Sequence, residues 1–432
     1  MSFFTEAAQL QAILEVEVAL AAAQADVGVI PTRAAADIKM AANSALFDLT
    51  SLRAEAERAG NIVIPLIRRL TDGVAAVHPE SARYVHRGAT SQDILDTALV
   101  LQVRAASAPL RAAIQRAMIA TAGLVRAYAL TPMPGRTWLQ HASPTTFGLK
   151  AAGWLDLLGR CLERIDGALT RVLVVQLGGA SGTLAALGDA GPSVMEAMGR
   201  QLTLGIPDMP WHAQRDRLVD LASSLGTMCG ALGKIGRDLV LLGQSEVGEA
   251  WETPERGRGG SSSMPHKQNP VRAVAAVTAS LRAPGMVATM LAAMPQEHER
   301  AAGGWQAEWS TLPDLVDLTL HAAEATASAL ENLSVDPARM RSNLDLRGGV
   351  AMAEALSNAL SDHLPRGEAL SHVERLASAA MKEGRALAEL ALTDPILLQH
   401  LSRAEIERLL TPEQFLGSAR VFIERVLQRW KM

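Results

Sequence analysis

An all-α fold follows from three observations in this 432-residue chain. Hydrophobic residues make up 49%, mostly Ala, Leu and Val, while aromatics are only 3%; Ala and Leu are the strongest helix formers. From Leu218 to Leu242, apolar residues recur at alternating steps of three and four: Leu218, Leu221, Leu225, Met228, Leu232, Ile235, Leu239 and Leu242. That stripe predicts a long helix packed in coiled-coil fashion, with Lys234 and Arg237 off it. Strand signals are nearly absent; "RVLVVQLGG" alone reads as a short strand or a helix end.

Four further long helices are legible. One runs from about Ser91 to Tyr128, with Pro109 as a kink point. Another starts near Ser143–Pro144, an N-cap followed by proline at the first helical position. A third starts at Asn269–Pro270 with the same signature, so that Asn269 caps it. A fourth spans about Leu312 to Leu333. The stretch "SVDPARMRSNLDLRGG" reads as a connection, and shorter helices broken at Pro365, Pro395 and Pro412 follow it. The expected organisation is an N-terminal helical domain over 1–95, a central long-helix domain over 96–345 and a C-terminal helical domain over 346–432.

Composition excludes several function classes. The formal net charge is −4 with no long basic block, which argues against nucleic acid as the partner. Cys161 and Cys229 sit alone in apolar helical runs and read as core thiols. The N-terminus "MSFFTEAAQL" lacks a basic segment followed by an apolar one, so no signal peptide is expected. No uninterrupted apolar run approaches the roughly 20 residues of a membrane span. A cytoplasmic protein follows. No stretch has metal-ligand spacing, and no cofactor is expected.

Three polar segments interrupt the apolar pattern. In "HRGATSQD" (86–93), Thr90 or Ser91 caps a helix and Asp93 completes a capping box; the same free N–H groups suit a carboxylate or phosphate. His86 beside them is structural or functional. In "GRTWLQHASPTTFG" (135–148), Arg136, Thr137, Gln140 and His141 crowd more donors together than a cap needs. In "GGSSSMPHKQNP" (259–270), a phosphate-binding P-loop reading fails because Gln268, not Ser or Thr, follows Lys267. Its glycines permit motion, its serines supply hydroxyls and Lys267 supplies charge, which suits a mobile lid over an anion.

These segments resemble, in order, the three signature regions of the fumarase/aspartase superfamily, and "GSSSMPHKQNP" is similar to its signature loop, Gly-Ser-x-x-Met-x-x-Lys-x-Asn. The resemblance covers essentially the whole chain. It implies a three-domain all-α homotetramer with a twenty-helix core, five helices per subunit, and active sites each shared by three subunits. It implies β-elimination or its reverse next to a carboxylate, without metal or organic cofactor. By that resemblance Ser261 is the proton-transfer base, and Lys267 and Asn269 hold the carboxylate whose charge grows. Thr90, Ser91 and Ser262 contact substrate. A serine serves as base only if Lys267 and loop N–H groups favour its alkoxide in a closed site.

Two departures from the family pattern narrow the chemistry. Most members carry His after "RT" and Glu seven residues after the loop lysine, the pair assigned to protonating the leaving group. Here those positions are Trp138 and Val274, and His141 lies three residues beyond the first. Amines leave poorly unprotonated, whereas a carboxylate of pKa about 4 departs or attacks as the anion. The chain thus resembles the lactone-forming branch of the superfamily, in which a carboxylate of a tricarboxylate muconate adds to its own conjugated double bond. In that scheme Arg300 joins the carboxylate clamp, and His86, Gln140, His141 and Arg215 are further contacts; Arg215 and Arg300 could equally be structural ion-pair partners. Trp138 is a pocket wall. The competing expectations are an adenylosuccinate lyase-like C–N lyase and a catalytically silent helical scaffold.

Overall fold

Five long helices, Ser91–Ala127, Phe147–Val172, Asp216–Leu242, Val271–Ala293 and Gly304–Glu331, dominate a computed structural model that describes residues 2–432. Every position of the 218–242 stripe is buried, so the three-four alternation marks the packed face. Small residues set how closely neighbours approach. At Gly236 a Cβ would lie 2.5 Å from the Ala273 carbonyl oxygen and 3.1 Å from the Ala276 methyl, so only glycine allows the 271–293 helix that near.

The chain divides into two compact units, and each holds a stretch of all five helices. The first takes the chain up to Ala112, Cys161–Gly230 and Ala279–Ala322. In it, helix Glu6–Asp26 starts at Thr5, whose hydroxyl accepts the Ala8 N–H at 3.2 Å. Its buried face (Leu10, Ile13, Leu14, Val16, Leu20) packs on helices Thr32–Ala41 and Gly191–Leu202. The second unit takes Ala113–Arg160, Ala231–Thr278 and Ala323–Met432. It contains an antiparallel hairpin, β1 (Pro132–Thr137) with β2 (Gln140–Thr146), and a small pair, β3 (Ala250–Glu252) with β4 (Leu333–Val335). Its C-terminal helices share a core of Leu356, Leu360, Val373, Leu387, Leu397 and Ile406.

Several boundaries differ from the sequence expectation. Ser143 and Pro144 do not open a helix: they lie in β2, with Pro144 opposite Pro134. A residue before proline is pushed toward extended backbone, and the following threonines favour strand. The helix begins at Phe147, with Thr146 Oγ1 accepting the Leu149 N–H at 2.9 Å. The last long helix starts at Gly304 rather than Leu312 and runs through Pro313; Leu333 already belongs to β4. The 334–349 connection contains helix Pro337–Leu344, capped by Asp336, which accepts the Arg339 N–H at 2.9 Å. In "RVLVVQLGG" the helix ends at Val172 and one bridge, Val174 to Gly205, follows. The 271–293 helix is long and apolar enough by length and composition to cross a membrane, and within one chain only 22% of its apolar 18-residue window is buried.

If the stripe is the packed face, Leu225→Ala removes a fully enclosed side chain and costs about 2–5 kcal/mol. The shift in urea midpoint at unchanged slope measures it; a loss below about 1 kcal/mol would mean the site is not close-packed.

Candidate active site

The first polar segment lies in the first unit. Thr90 precedes helix Ser91–Ala127, and its backbone N–H donates to Asp93 Oδ2 at 2.9 Å. Asp93 is buried and does more than cap: it also accepts the N–H groups of Gly178 (2.7 Å) and Gly179 (2.9 Å) and contacts His212 Nε2 at 2.7 Å. Neither hydroxyl of Thr90 or Ser91 has a hydrogen-bond partner among the described residues.

His86 has a left-handed backbone (φ 56°), uncommon for a residue with a Cβ. Its Nδ1 sits 2.6 Å from Glu17 Oε1. Burial alone would push its pKa down, but the charge and hydrogen bond of Glu17, with the charge of Asp93, raise it above the ordinary value. Such an imidazolium can offer Nε2–H to an anion. Glu17 was not anticipated from sequence. The available signal was an acidic residue on the buried face of helix Glu6–Asp26.

Arg300 and Arg215 part company. Arg300 Nε donates to Gln92 Oε1 (3.2 Å) and one terminal nitrogen to the Ala180 carbonyl (3.1 Å); no carboxylate among the described residues pairs with it. Gln92 follows Ser91 directly, so Arg300 is tied to the helix end that carries the free hydroxyls. Arg215, expected as a substrate contact, is spent on structure. Its guanidinium is fully buried and donates to Asp96, Glu308 and the His212 carbonyl. An arginine has five N–H donors, and these partners take them all, which leaves the ion-pair alternative.

The second and third segments lie in the second unit. Trp138 and Leu139 form the tip of the β1–β2 hairpin, both with positive φ (52° and 63°), as a primed two-residue turn demands. Glycine or asparagine normally fills such positions. Trp138 is 96% exposed; expected as a pocket wall, it lines none of the described cavities of a single chain. Arg136 is clamped bidentately by the buried Glu249 (2.8 and 2.6 Å), which also accepts from Asn343. His141 is held below its ordinary pKa, first by partial burial and then by the Arg136 charge and, more weakly, that of Arg347, against the opposing Glu249. These influences favour its neutral form. Gln140 is exposed beside it.

The signature loop is closed at its base. The Asn269 N–H donates to the Gly259 carbonyl at 2.7 Å, and Gly260 bridges Gln268. Gly259 (φ 70°) has no room for a Cβ, which would meet the Asn269 carbonyl oxygen at 2.6 Å. Above this base, Ser261 Oγ accepts the Met264 N–H at 3.1 Å and the Ser263 N–H at 3.4 Å. Ser262, Lys267 and most of the loop are exposed, and Lys267 has no anionic partner among the described residues. Asn269 does not cap the next helix. Its Nδ2 lies 3.5 Å from the Gly260 carbonyl, while Glu252 of β3 accepts the Ala273 and Arg272 N–H groups at 2.8 and 3.4 Å. A carboxylate serves the positive helix end better than an amide does. No hydrogen bond or ion pair among the described residues joins the loop to the hairpin.

Two expectations follow. Asp96→Ala leaves two Arg215 N–H groups and the Trp305 indole N–H without an acceptor in the interior and destabilises by about 3 kcal/mol or more, read by chemical unfolding; a near-neutral result would mean that water reaches the pair. The raised His86 pKa stabilises the fold fully below about pH 6.5, and that contribution is lost as pH rises through the folded-state value. Glu17→Gln removes it and lowers the His86 pKa, measurable by NMR titration; an unmoved titration would mean that Glu17 does not set it.

The lyase family profile matches residues 1–285, and that of the adenylosuccinate lyase C-terminus matches 349–426. A 3-carboxy-cis,cis-muconate cycloisomerase of Pseudomonas aeruginosa is 47% identical over 98% of this chain and 92% of its own length. A nitrosuccinate lyase of Streptomyces davaonensis is 41% identical over 98% of this chain and 91% of its own. The crystal structure of 3-carboxy-cis,cis-muconate lactonizing enzyme from Pseudomonas putida superposes with a TM-score of 0.93 at 44% identity, covering 99% of this chain and 96% of that one. The chain therefore belongs to the lyase family of the fumarase/aspartase superfamily.

Proposed function

We propose that the chain converts 3-carboxy-cis,cis-muconate to 4-carboxymuconolactone, a step in protocatechuate breakdown through β-ketoadipate. The distal carboxylate attacks the activated alkene carbon and a C–O bond forms as the π bond opens. The electron pair moves toward the carboxylate conjugated with that alkene, where Lys267 and Asn269 hold it. Ser261 delivers a proton to the adjacent carbon. The N–H groups of Ser263 and Met264 on Ser261 Oγ would stabilise the alkoxide left behind. Thr90, Ser91 and Arg300 hold a second carboxylate, with His86, Gln140, His141 and Ser262 as further contacts. What favours lactone formation over amine release is the apolar pair Trp138 and Val274, which leaves no acid at the positions that protonate a leaving group.

The same reading takes the protein as a cytoplasmic homotetramer with each site shared by three subunits. The exposed apolar face of the 271–293 helix (Val271, Val274, Leu281, Leu291) is what a shared bundle would cover, and the exposed Trp138 tip would wall a site on another copy. The division at 95 and 345 is kept, supported at its second boundary by the separate core that starts at Leu356.

Incubation with 3-carboxy-cis,cis-muconate should abolish the diene absorbance. Turnover of adenylosuccinate instead would make the protein a C–N lyase; turnover of nitrosuccinate alone would make it an eliminase with an anionic leaving group; silence with all three would favour a scaffold. Ser261→Ala should cost about 10²–10⁴-fold in kcat with the oligomer intact, and near-normal turnover would show the proton donor misassigned. Val274→Glu should bring no gain.

A further inference from the structure

A cavity of about 550 Å³ opens beside the hairpin, lined by Gln140 and His141 on one side and by Leu346, Arg347 and Val350 on the other. We infer that Arg347 is a further substrate-binding residue, whose guanidinium takes a carboxylate of the substrate in this cavity; the inference rests on the function proposed above.

Three observations carry it. Arg347 is exposed and has no hydrogen-bond or ion-pair partner among the described residues, although Glu354 lines the same cavity. Its backbone is left-handed (φ 59°, ψ 32°) and opens a run of three such residues with Gly348 and Gly349. A Cβ on Gly348 would come within 2.4 Å of the Arg385 carbonyl oxygen, so the turn is fixed by close packing. The two positions that follow are glycine, and the strained one is arginine. A residue held against its backbone preference, where glycine would fit without strain, points to a use for its side chain.

The third observation is the cavity's chemistry. Leu139, Leu346, Val350 and Ala351 give it apolar walls. The neutral His141 and Gln140 supply hydrogen bonds without net charge, and Arg347 is near enough to bear on the His141 charge. Apolar walls with a few converging polar groups suit a small organic anion, and a planar fork of N–H donors suits a carboxylate.

The test separates charge from turn geometry. Arg347→Gly suits the left-handed backbone, and Arg347→Lys keeps the charge without the fork. Both are made alone and in a Ser261→Ala background, where ligand is not consumed. Titration calorimetry then follows 3-carboxy-cis,cis-muconate and tricarballylate, a tricarboxylate that cannot cyclise. We expect Arg347→Gly to raise Kd for both ligands and KM at least tenfold, with kcat changed less than threefold and Tm unchanged or higher. Arg347→Lys should recover part of the affinity. Unchanged Kd for both ligands, or weakened binding only alongside a lower Tm, overturns the inference. Arg347-dependent tricarballylate binding without muconate turnover would sink the proposed reaction and leave the anion site standing.

Discussion

The buried ion cluster around Arg215 is the constraint on which the first unit depends. Asp96 lies on helix Ser91–Ala127, Glu308 on helix Gly304–Glu331, and Arg215 immediately before helix Asp216–Leu242. Three charges inside an apolar bundle are tolerable only when every lone pair and proton is used. Here they are: Trp305 Nε1 donates to Asp96 and Gln296 to Glu308. Burial pushes the Glu308 carboxyl up and Arg215 pulls it back, with the neighbouring Asp96 charge adding to the upward push. The demand for complete satisfaction fixes the register of three helices at once. That in turn sets Gln92, four residues before Asp96, against Arg300.

The helix end at Thr90 shows how structural and chemical roles divide within one turn. Asp93 accepts the Thr90 N–H and pins the 178–179 backbone, while the hydroxyls before and at the helix start have no hydrogen-bond partner among the described residues. A capping box would ordinarily absorb one of them. Two hydroxyls are therefore available at this helix end, where the local sequence pattern implies one.

Much of this was legible in sequence. The 218–242 stripe and the five long helices came from periodicity and proline placement, because long amphipathic helices repeat their signal many times. The family came from a dense motif. What stayed hidden depends on partners distant in the chain. Ser143–Pro144 carries a good helix-start signature, yet pairing with Pro134 draws it into a strand. Asn269 loses the cap to Glu252, seventeen residues upstream, and Arg215 resembles a substrate cation until Asp96 and Glu308 are seen around it. Glu17, 69 residues from His86, could be flagged only as an acid in an apolar stripe. Arg347 sits in "LRGG", where nothing local says that the arginine shares the glycines' backbone.

Ser261 carries one more consequence. The N–H groups that donate to its oxygen belong to residues two and three positions downstream, so they come from the same short segment as the serine. In the proposed closure of the 259–270 segment about its base, the environment of the oxygen would travel with it. Opening and closing need not create or destroy that environment; they change only what stands opposite. Under the proposed function, such a lid would bring Ser261 Oγ to the substrate with its hydrogen-bond donors already in place.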